Sequence, residues 1–169
     1  ILKKLNLLPN NYYLLTINRA DNTSDRTTLK NILCSLDNLD LPVIFPVHPR
    51  TRKFLAGSFK PKKRLSLIAQ ISYLDMLILE ENSKAIFTDS GGVQKEAYIF
   101  KIPCFSLRLE TEWIETLKFG SNRLVNIDKD NLSSLCRNKS NFSKIRFISN
   151  VFGHGDAAKR IVKILADEI

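Results

Sequence analysis

The sequence is poor in the residues that build metal centres and disulfide frameworks. It has three cysteines and two histidines among 169 residues, and no two cysteines form a CxxC pair. Zinc sites need clustered Cys and His ligands, and disulfide scaffolds need an even, dense set of cysteines. The pattern therefore predicts no metal site. An odd cysteine count without a leader peptide is typical of a reducing cytoplasm, where we expect the protein to reside.

Long hydrophobic runs are also missing. No apolar stretch approaches the roughly 18–20 residues that cross a bilayer, so we expect no membrane span. Met76 is the only methionine and the chain opens at Ile1. We therefore expect a fragment or a processed piece of a longer protein. Its 169 residues suit one domain, since domains commonly run to about 100–200 residues.

Positive charge is in excess, at a net +9, which favours polyanionic partners such as nucleic acid, anionic membranes or phosphorylated small molecules. The charges are spread along the chain, however. The densest cluster is Lys60, Lys62, Lys63 and Arg64, which we interpret as a solvated loop. Because no basic motif is interleaved with aromatic residues, we expect no nucleic-acid partner.

Short apolar runs alternate with helical patterns along the chain. The predicted strands are residues 12–16, 43–46, 65–68, 85–88, 103–107 and 123–126. The predicted helices are residues 27–39, 73–81, 93–100, 111–119, 129–138 and 157–167. Unbroken apolar strands joined by helices indicate a parallel sheet covered on both faces. We predict one doubly wound α/β domain, Rossmann-like, over residues 1–169, with its ligand at the carboxyl ends of the strands.

One polar segment follows the predicted fourth strand and opens a helix. It reads TDSGGVQKEA and contains Ser90, Gly91, Gly92 and Glu96. The two glycines let the backbone approach a ligand, and a helix N-terminus offers free N–H groups to an anion such as a diphosphate. Glu96 can accept hydrogen bonds from a ribose diol. A tight turn with Ser90 as an ordinary N-cap explains the same residues, and both interpretations stay open.

Three further polar segments follow other predicted strands, and so fall at the same edge of the sheet. They are residues 16–22, with Asn18, Arg19 and Asp21; residues 48–51, with His48; and residues 108–115, with Arg108 and Trp113. Turn and cap chemistry explains parts of each: an Asx turn at Asp21, a Pro49 turn beside His48, and Thr111 as an N-cap with Glu112 and Glu115 in the first turn. Arg108 suits forked pairing with phosphate.

These segments resemble the non-hydrolysing UDP-N-acetylglucosamine 2-epimerases. TDSGGVQKEA is similar to the signature of that family, and RLETEWIETLKFGSNRLV is similar to its RxxTEWxE segment. IFPVHPRT and FGHGDAAKRI also fit, so that the resemblance runs from Tyr12 to the end of the chain. It implies the second half of a two-domain fold of the GT-B type, with the first half absent.

The resemblance also implies a ligand, UDP or a UDP-N-acetylhexosamine, and the residues that bind it. These would be Arg19, His48, Met76, Ser90, Gly91, Gly92, Glu96 and Arg108, with Tyr73 and Met76 near the uracil. The reaction implied is elimination of UDP and its re-addition with inverted C2, which interconverts UDP-GlcNAc and UDP-ManNAc without metal or cofactor. The acid and base carboxylates would belong largely to the first domain, so we expect this chain to be inactive alone. A homodimer is possible for the full-length family.

Three positions depart from the pattern of the family. Asn18 replaces a histidine and Asp21 replaces a glutamate in the HRxEN segment, and an amide cannot titrate near neutral pH. His154 stands where the family usually has aspartate. Two alternatives therefore remain open: a degenerate, non-catalytic remnant, and the C-terminal domain of a GT-B glycosyltransferase. The TEWxE segment favours the epimerases.

Overall fold

A computed structural model describes residues 1–57, 59–127, 130–137, 142 and 145–167 of the chain. Its core is a six-stranded parallel sheet in the order β3-β2-β1-β4-β5-β6. The strands are β1 (Tyr13–Thr16), β2 (Val43–Val47), β3 (Leu65–Ala69), β4 (Ala85–Thr88), β5 (Cys104–Ser106) and β6 (Asn122–Leu124). The strand order reverses between β1 and β4, and this arrangement confirms the predicted doubly wound parallel sheet.

Eight helices lie among the described residues. They are α1 (Ala20–Thr23), α2 (Arg26–Asp37), α3 (Pro49–Leu55), α4 (Tyr73–Glu81), α5 (Gly91–Ile99), α6 (Ile114–Lys118), α7 (Leu132–Arg137) and α8 (Ala157–Asp167). N-cap side chains fix the residues at which several of these helices begin. Asp25 caps α2 by accepting from the Thr28 amide at 2.7 Å, and Ser72 caps α4 by accepting from Asp75 at 3.1 Å.

Each face of the sheet carries its own apolar layer, because side chains alternate along a strand. On β1, Tyr13 and Leu15 point to one layer, which α2 and α7 complete with Leu29, Leu33 and Leu132. Leu14 points to the opposite layer, shared with Leu79 of α4 and Ala97 of α5. With both faces covered, only the edges of the sheet remain for a ligand.

Several predicted bounds shift. The predicted sixth strand runs two residues less far, and the helix predicted over 111–119 starts only at Ile114, with Trp113 in place of Thr111 as the residue before it. The helix predicted over 129–138 is Leu132–Arg137. Lys129, Asn138 and most of the loop predicted over 138–144 lie outside the described residues. Cys104 is buried, as predicted.

Two of the described helices, α4 and α8, expose several large apolar side chains. Leu74 and Ile78, which the helical pattern places on one face of α4, are exposed, and α8 buries none of its residues. The exposed apolar residues of α8 are Ile161, Val162, Ile164 and Leu165. Within the described ranges, no helix combines the length and apolar character that crossing a bilayer requires.

Candidate functional site

A buried carboxylate ties two of the predicted polar segments together. Asp89, which directly follows β4, is fully buried. Its carboxylate accepts hydrogen bonds from the backbone amides of Asn18 and Arg19, both at 3.0 Å, and from Nδ2 of Asn22 at 3.0 Å. Asn22 also donates to the Leu107 carbonyl at 3.1 Å. The loops after β1, β4 and β5 are therefore fastened to one another at the carboxyl ends of their strands.

The start of α5 lies beside this carboxylate. Thr88 and Thr16 share a hydroxyl–hydroxyl hydrogen bond of 2.6 Å across β4 and β1, and the Ser90 amide donates to the Thr88 hydroxyl at 3.0 Å. Ser90 is the N-cap of α5, and its Oγ accepts from the Val93 amide at 3.5 Å. Ser90 and Gly91 are half-buried and Gly92 is exposed, so the first turn of α5 remains accessible from the edge of the sheet.

Gly91 is a glycine for a reason internal to the chain. A Cβ built on Gly91 would collide with the Glu112 carboxylate and would lie 3.0 Å from the indole nitrogen of Trp113. The same position on Gly92 meets only the Ser90 hydroxyl at 3.7 Å, an ordinary contact. The Glu112 carboxylate therefore rests on the first turn of α5, where the amide groups and the helix dipole favour an anion.

Two arginines surround the same carboxylate. Arg108 donates from Nη1 to Oε2 of Glu112 at 2.7 Å, and Nη2 of Arg19 lies 3.9 Å from Oε1 of Glu112. The pKa of Glu112 is lowered by hydrogen bonds from its own amide and from Arg108, and by the positive charges of both arginines. Glu112 is thus an ionised carboxylate between two guanidinium groups and a helix N-terminus.

The segment that carries Arg108 and Glu112 is anchored by a polar network under α5. Thr111 donates to Oε1 of the buried Gln94 at 2.6 Å, and Asn122 donates to the same oxygen at 3.1 Å. The prediction that Thr111 is the N-cap of the following helix is wrong, because α6 begins only at Ile114 with Trp113 before it. The Thr111 hydroxyl accepts from the Trp113 amide at 3.1 Å while it donates across to α5. Trp113, predicted to be exposed, is half-buried, and the Lys95 ammonium lies 4.4 Å from its ring centroid.

Glu96 lies one turn further along α5 and contacts α4. The Tyr73 hydroxyl donates to Oε1 of Glu96 at 2.8 Å. Met76, one turn after Tyr73, is half-buried and packs against the apolar layer of Leu79 and Ala97. Tyr73, Met76 and Glu96 thus form a second group, on the α4 side of the α5 N-terminus.

His48 occupies a third position. It is the N-cap of α3, and its Nδ1 accepts from the Arg50 amide at 3.2 Å, which leaves the Nε2 hydrogen free to donate outward. A cavity of about 790 Å³ is lined by His48, Asn18, Arg50 and Lys53, among others. The interpretation of His48 as a surface residue in a Pro49 turn agrees with its cap contact, and a ligand role remains a prediction.

The structure brings most of the predicted residues to one edge of the sheet in adjoining groups. Arg19, Asp21 and Arg108 line a cavity of about 570 Å³. His154 is exposed in the segment before α8, between two glycines of positive φ. In the part of the chain that the structure describes, no three His, Cys, Asp or Glu side chains group closely enough to hold a metal ion.

Sequence reasoning missed two residues of this site. The glycine motif contains Asp89, but its local spacing predicts no role for this residue, although an acidic residue directly after a buried strand is itself a signal. The sequence predicts Glu112 in a helical first turn, which it does not join. Its contact with Gly91 depends on residues 21 positions away, which local spacing does not reveal.

Comparison with known proteins places these features in a family. Residues 1–166 match the family model described as UDP-N-acetylglucosamine 2-epimerase. A Methanococcus maripaludis protein named as a UDP-N-acetylglucosamine 2-epimerase homolog is 43% identical over 171 residues, covering 98% of this chain and 47% of the relative. A Pseudomonas aeruginosa UDP-2,3-diacetamido-2,3-dideoxy-D-glucuronate 2-epimerase is 36% identical over 158 residues, covering 92% and 44%.

A solved structure of a related protein supports the same family. The crystal structure of Methanocaldococcus jannaschii UDP-GlcNAc 2-epimerase in complex with UDP-GlcNAc and UDP has a TM-score of 0.82 to this chain at 39% identity, and it covers 97% of this chain and 47% of that one. The chain therefore spans about half the length of the curated relatives that it matches.

Proposed function

Since this chain belongs to the UDP-N-acetylglucosamine 2-epimerase family, we propose that it binds the UDP portion of a UDP-N-acetylhexosamine at the carboxyl edge of its sheet. The observation that carries the proposal is the position of Glu112. An anionic side chain of the chain itself rests on the first turn of α5, with Arg108 at 2.7 Å and Arg19 at 3.9 Å. A diphosphate carries more charge than a carboxylate and suits the same surroundings.

The groups around α5 supply the remaining contacts in this proposal. The first-turn amides after Ser90 and the guanidinium groups of Arg19 and Arg108 hold the diphosphate. Glu96 accepts from the ribose diol, oriented by the Tyr73 hydroxyl at 2.8 Å. Met76 lies on the same helix as Tyr73 and faces the uracil side.

His48 lines the same cavity as Asn18. Its Nε2–H is free to donate to a phosphate or sugar oxygen, because Nδ1 is engaged by Arg50. The amide of Asn18 offers hydrogen bonds there but no titratable group. Among the described residues, His48 and Asn18 therefore supply hydrogen-bonding groups at this edge of the sheet but do not form a pair of acid and base catalysts.

We further propose that the whole protein interconverts UDP-GlcNAc and UDP-ManNAc, and that this chain alone does not. The family members that it matches are about twice as long, and the chemistry implied by the resemblance places the carboxylates in the other half. The exposed apolar residues of α8 support a partner domain, since a monomer rarely leaves such residues together in water. Homodimers of the whole protein remain a proposal.

The test is calorimetric titration of the chain with UDP and with UDP-GlcNAc. We expect saturable binding, which Arg108→Ala weakens about tenfold or more through loss of a charge-assisted bond. Ser90→Ala should weaken binding by a smaller factor. Arg64→Ala is the matched control, because Arg64 precedes β3 and so lies at the opposite edge of the sheet. No heat with UDP at millimolar concentration would refute the assignment.

Catalysis is tested separately. We expect no epimerisation of UDP-GlcNAc by the purified chain when the proton at C2 of the sugar is monitored by NMR. Adding the first half of a family member in trans should restore turnover if the two halves associate through α8. Turnover by the chain alone would overturn the claim that it lacks the catalytic carboxylates.

A further inference from the structure

Glu80, in the last turn of α4, has an exceptional position. It is fully buried, and no described N–H or O–H group donates to either carboxyl oxygen. Its side chain lies within hydrogen-bonding reach of the Glu96 carboxylate, to which a protonated Glu80 can donate. An ionised carboxylate is strongly disfavoured in such a place, so the side chain retains its proton when neighbouring acids have lost theirs.

Three titratable groups from three elements interact electrostatically with Glu80. They are Glu96 on α5, which packs against α4, Tyr73 on α4 itself, and Cys104 on β5. Burial first and the negative charge of Glu96 second raise the pKa of Glu80 to about 8. Burial also raises the pKa of the Cys104 thiol to about 12, so that this neighbour stays neutral.

Tyr73 joins the same group from the solvent side. Its hydroxyl donates to Oε1 of Glu96, and that bond raises the pKa of Tyr73. Glu96 therefore lies between a phenol hydroxyl outside and a buried carboxyl inside. While Glu80 keeps its proton, Glu96 is the single negative charge of the group and an acceptor for a ligand hydroxyl.

We propose that Glu80 is a positioning residue for Glu96, and that its proton keeps the Glu96 carboxylate turned toward the ribose. This rests on the proposed role of Glu96 in nucleotide binding. When Glu80 releases its proton to solvent, a second negative charge lies behind Glu96 and repels it from the position that Tyr73 defines. Glu80 itself does not touch the nucleotide, and no proton passes to the ligand.

The experiment is a titration of the full chain with UDP and with 2′-deoxy-UDP at several pH values from 6.5 to 9.5. The proteins are the wild type, Glu80→Gln, Glu80→Met and the control Glu81→Gln, whose side chain is exposed on the same helix. Glutamine retains a hydrogen-bond donor and cannot ionise. Methionine fills a similar volume and has no donor.

For the wild type and Glu81→Gln, we expect UDP affinity to fall roughly tenfold between pH 7 and pH 9.5. Glu80→Gln should bind UDP with nearly constant affinity over this range, and Glu80→Met should bind weakly at every pH. The fall should be smaller with 2′-deoxy-UDP, which lacks one of the two ribose hydroxyls.

The outcomes separate the two proposals. Equal pH profiles for the wild type and Glu80→Gln, with UDP bound by both, would overturn the role of Glu80 and leave the nucleotide site intact. Equal falls with UDP and 2′-deoxy-UDP would also overturn it, because the effect would then not pass through the ribose. Failure of every protein to bind UDP would refute the proposed function, and this inference with it.

Discussion

Replacing Glu80 by glutamine should make the chain more stable at neutral and alkaline pH, although the change removes a native side chain. Glu80 is fully buried, and no described N–H or O–H group donates to its carboxyl oxygens. Ionisation must therefore occur in an apolar environment next to the charge of Glu96. Glutamine has nearly the same shape and cannot ionise, so it removes this cost and keeps the packing.

The magnitude follows from the two pKa values. The pKa of Glu80 is about 8 in the folded chain against an ordinary value of 4.5. Between these values the folded state holds a proton that the unfolded state has released, so stability falls by about 1.4 kcal/mol per pH unit. The contribution is fully present below pH 4.5 and is lost as the pH rises toward 8. At pH 7 the accumulated cost is about 3 kcal/mol.

Thermal unfolding followed by circular dichroism at pH 5 and pH 8 tests this directly. For a chain of this length, 1 kcal/mol corresponds to roughly 2–4 °C in Tm. At pH 8 the accumulated cost is about 4 kcal/mol, so we expect Glu80→Gln to raise Tm by about 8–16 °C at pH 8 and by little at pH 5. Glu81→Gln should leave Tm nearly unchanged at both values. A loss of stability in Glu80→Gln that is equal at the two pH values would show that the native carboxylate has a partner.

Three further predictions concern the carboxyl edge of the sheet. Asp89→Asn should lower the free energy of unfolding in urea by about 2–4 kcal/mol, because the amides of Asn18 and Arg19 lose a charged acceptor. An unchanged midpoint would contradict the role of these hydrogen bonds to Asp89, here called the Asp89 clamp, in fastening the loops. Gly91→Ala should cost about 1 kcal/mol, because the added Cβ displaces the flexible end of Glu112 and lies 3.0 Å from the indole nitrogen of Trp113, while Gly92→Ala should be close to neutral; equal urea midpoints for the two would refute this packing. Glu112→Gln should tighten UDP binding roughly threefold to tenfold in calorimetry, since it removes a negative charge and frees Arg108; weaker binding would mean that Glu112 orients the arginine.

The fold was predictable where the sequence signal is local. The strand over 85–88 is an unbroken apolar run before a glycine turn, and α4 begins at a serine cap, so their bounds agree with prediction. The predicted start of α6 is wrong because Thr111 also has a contact outside its own segment. Its hydroxyl accepts from the Trp113 amide, as a local pattern allows, and donates to Gln94, which lies 17 positions earlier. Local patterns contain no information about that second contact.

The sequence predicts which segments contribute to the candidate site better than it predicts which of their side chains contact one another. Because parallel strands end at the same edge, four polar segments after four strands were expected to lie together. Which side chain binds which could not be derived, since the partners of Asp89 lie 67 to 71 positions away in sequence. The pairing of Glu112 with Arg108 was also missed, because a helical first turn explained that carboxylate equally well.

Position 18 separates the requirements of the fold from those of the chemistry. Asn18 takes part in the Asp89 clamp through its backbone amide, which every residue except proline supplies. Its side chain is exposed at the edge of the cavity that it shares with His48. The exchange of histidine for asparagine that the resemblance implies at this position would therefore leave the clamp intact, and with it the positions of Arg19 and the α5 N-terminus. What the exchange removes is the titratable imidazole alone, so nucleotide binding should survive in this chain whether or not the complete protein retains turnover.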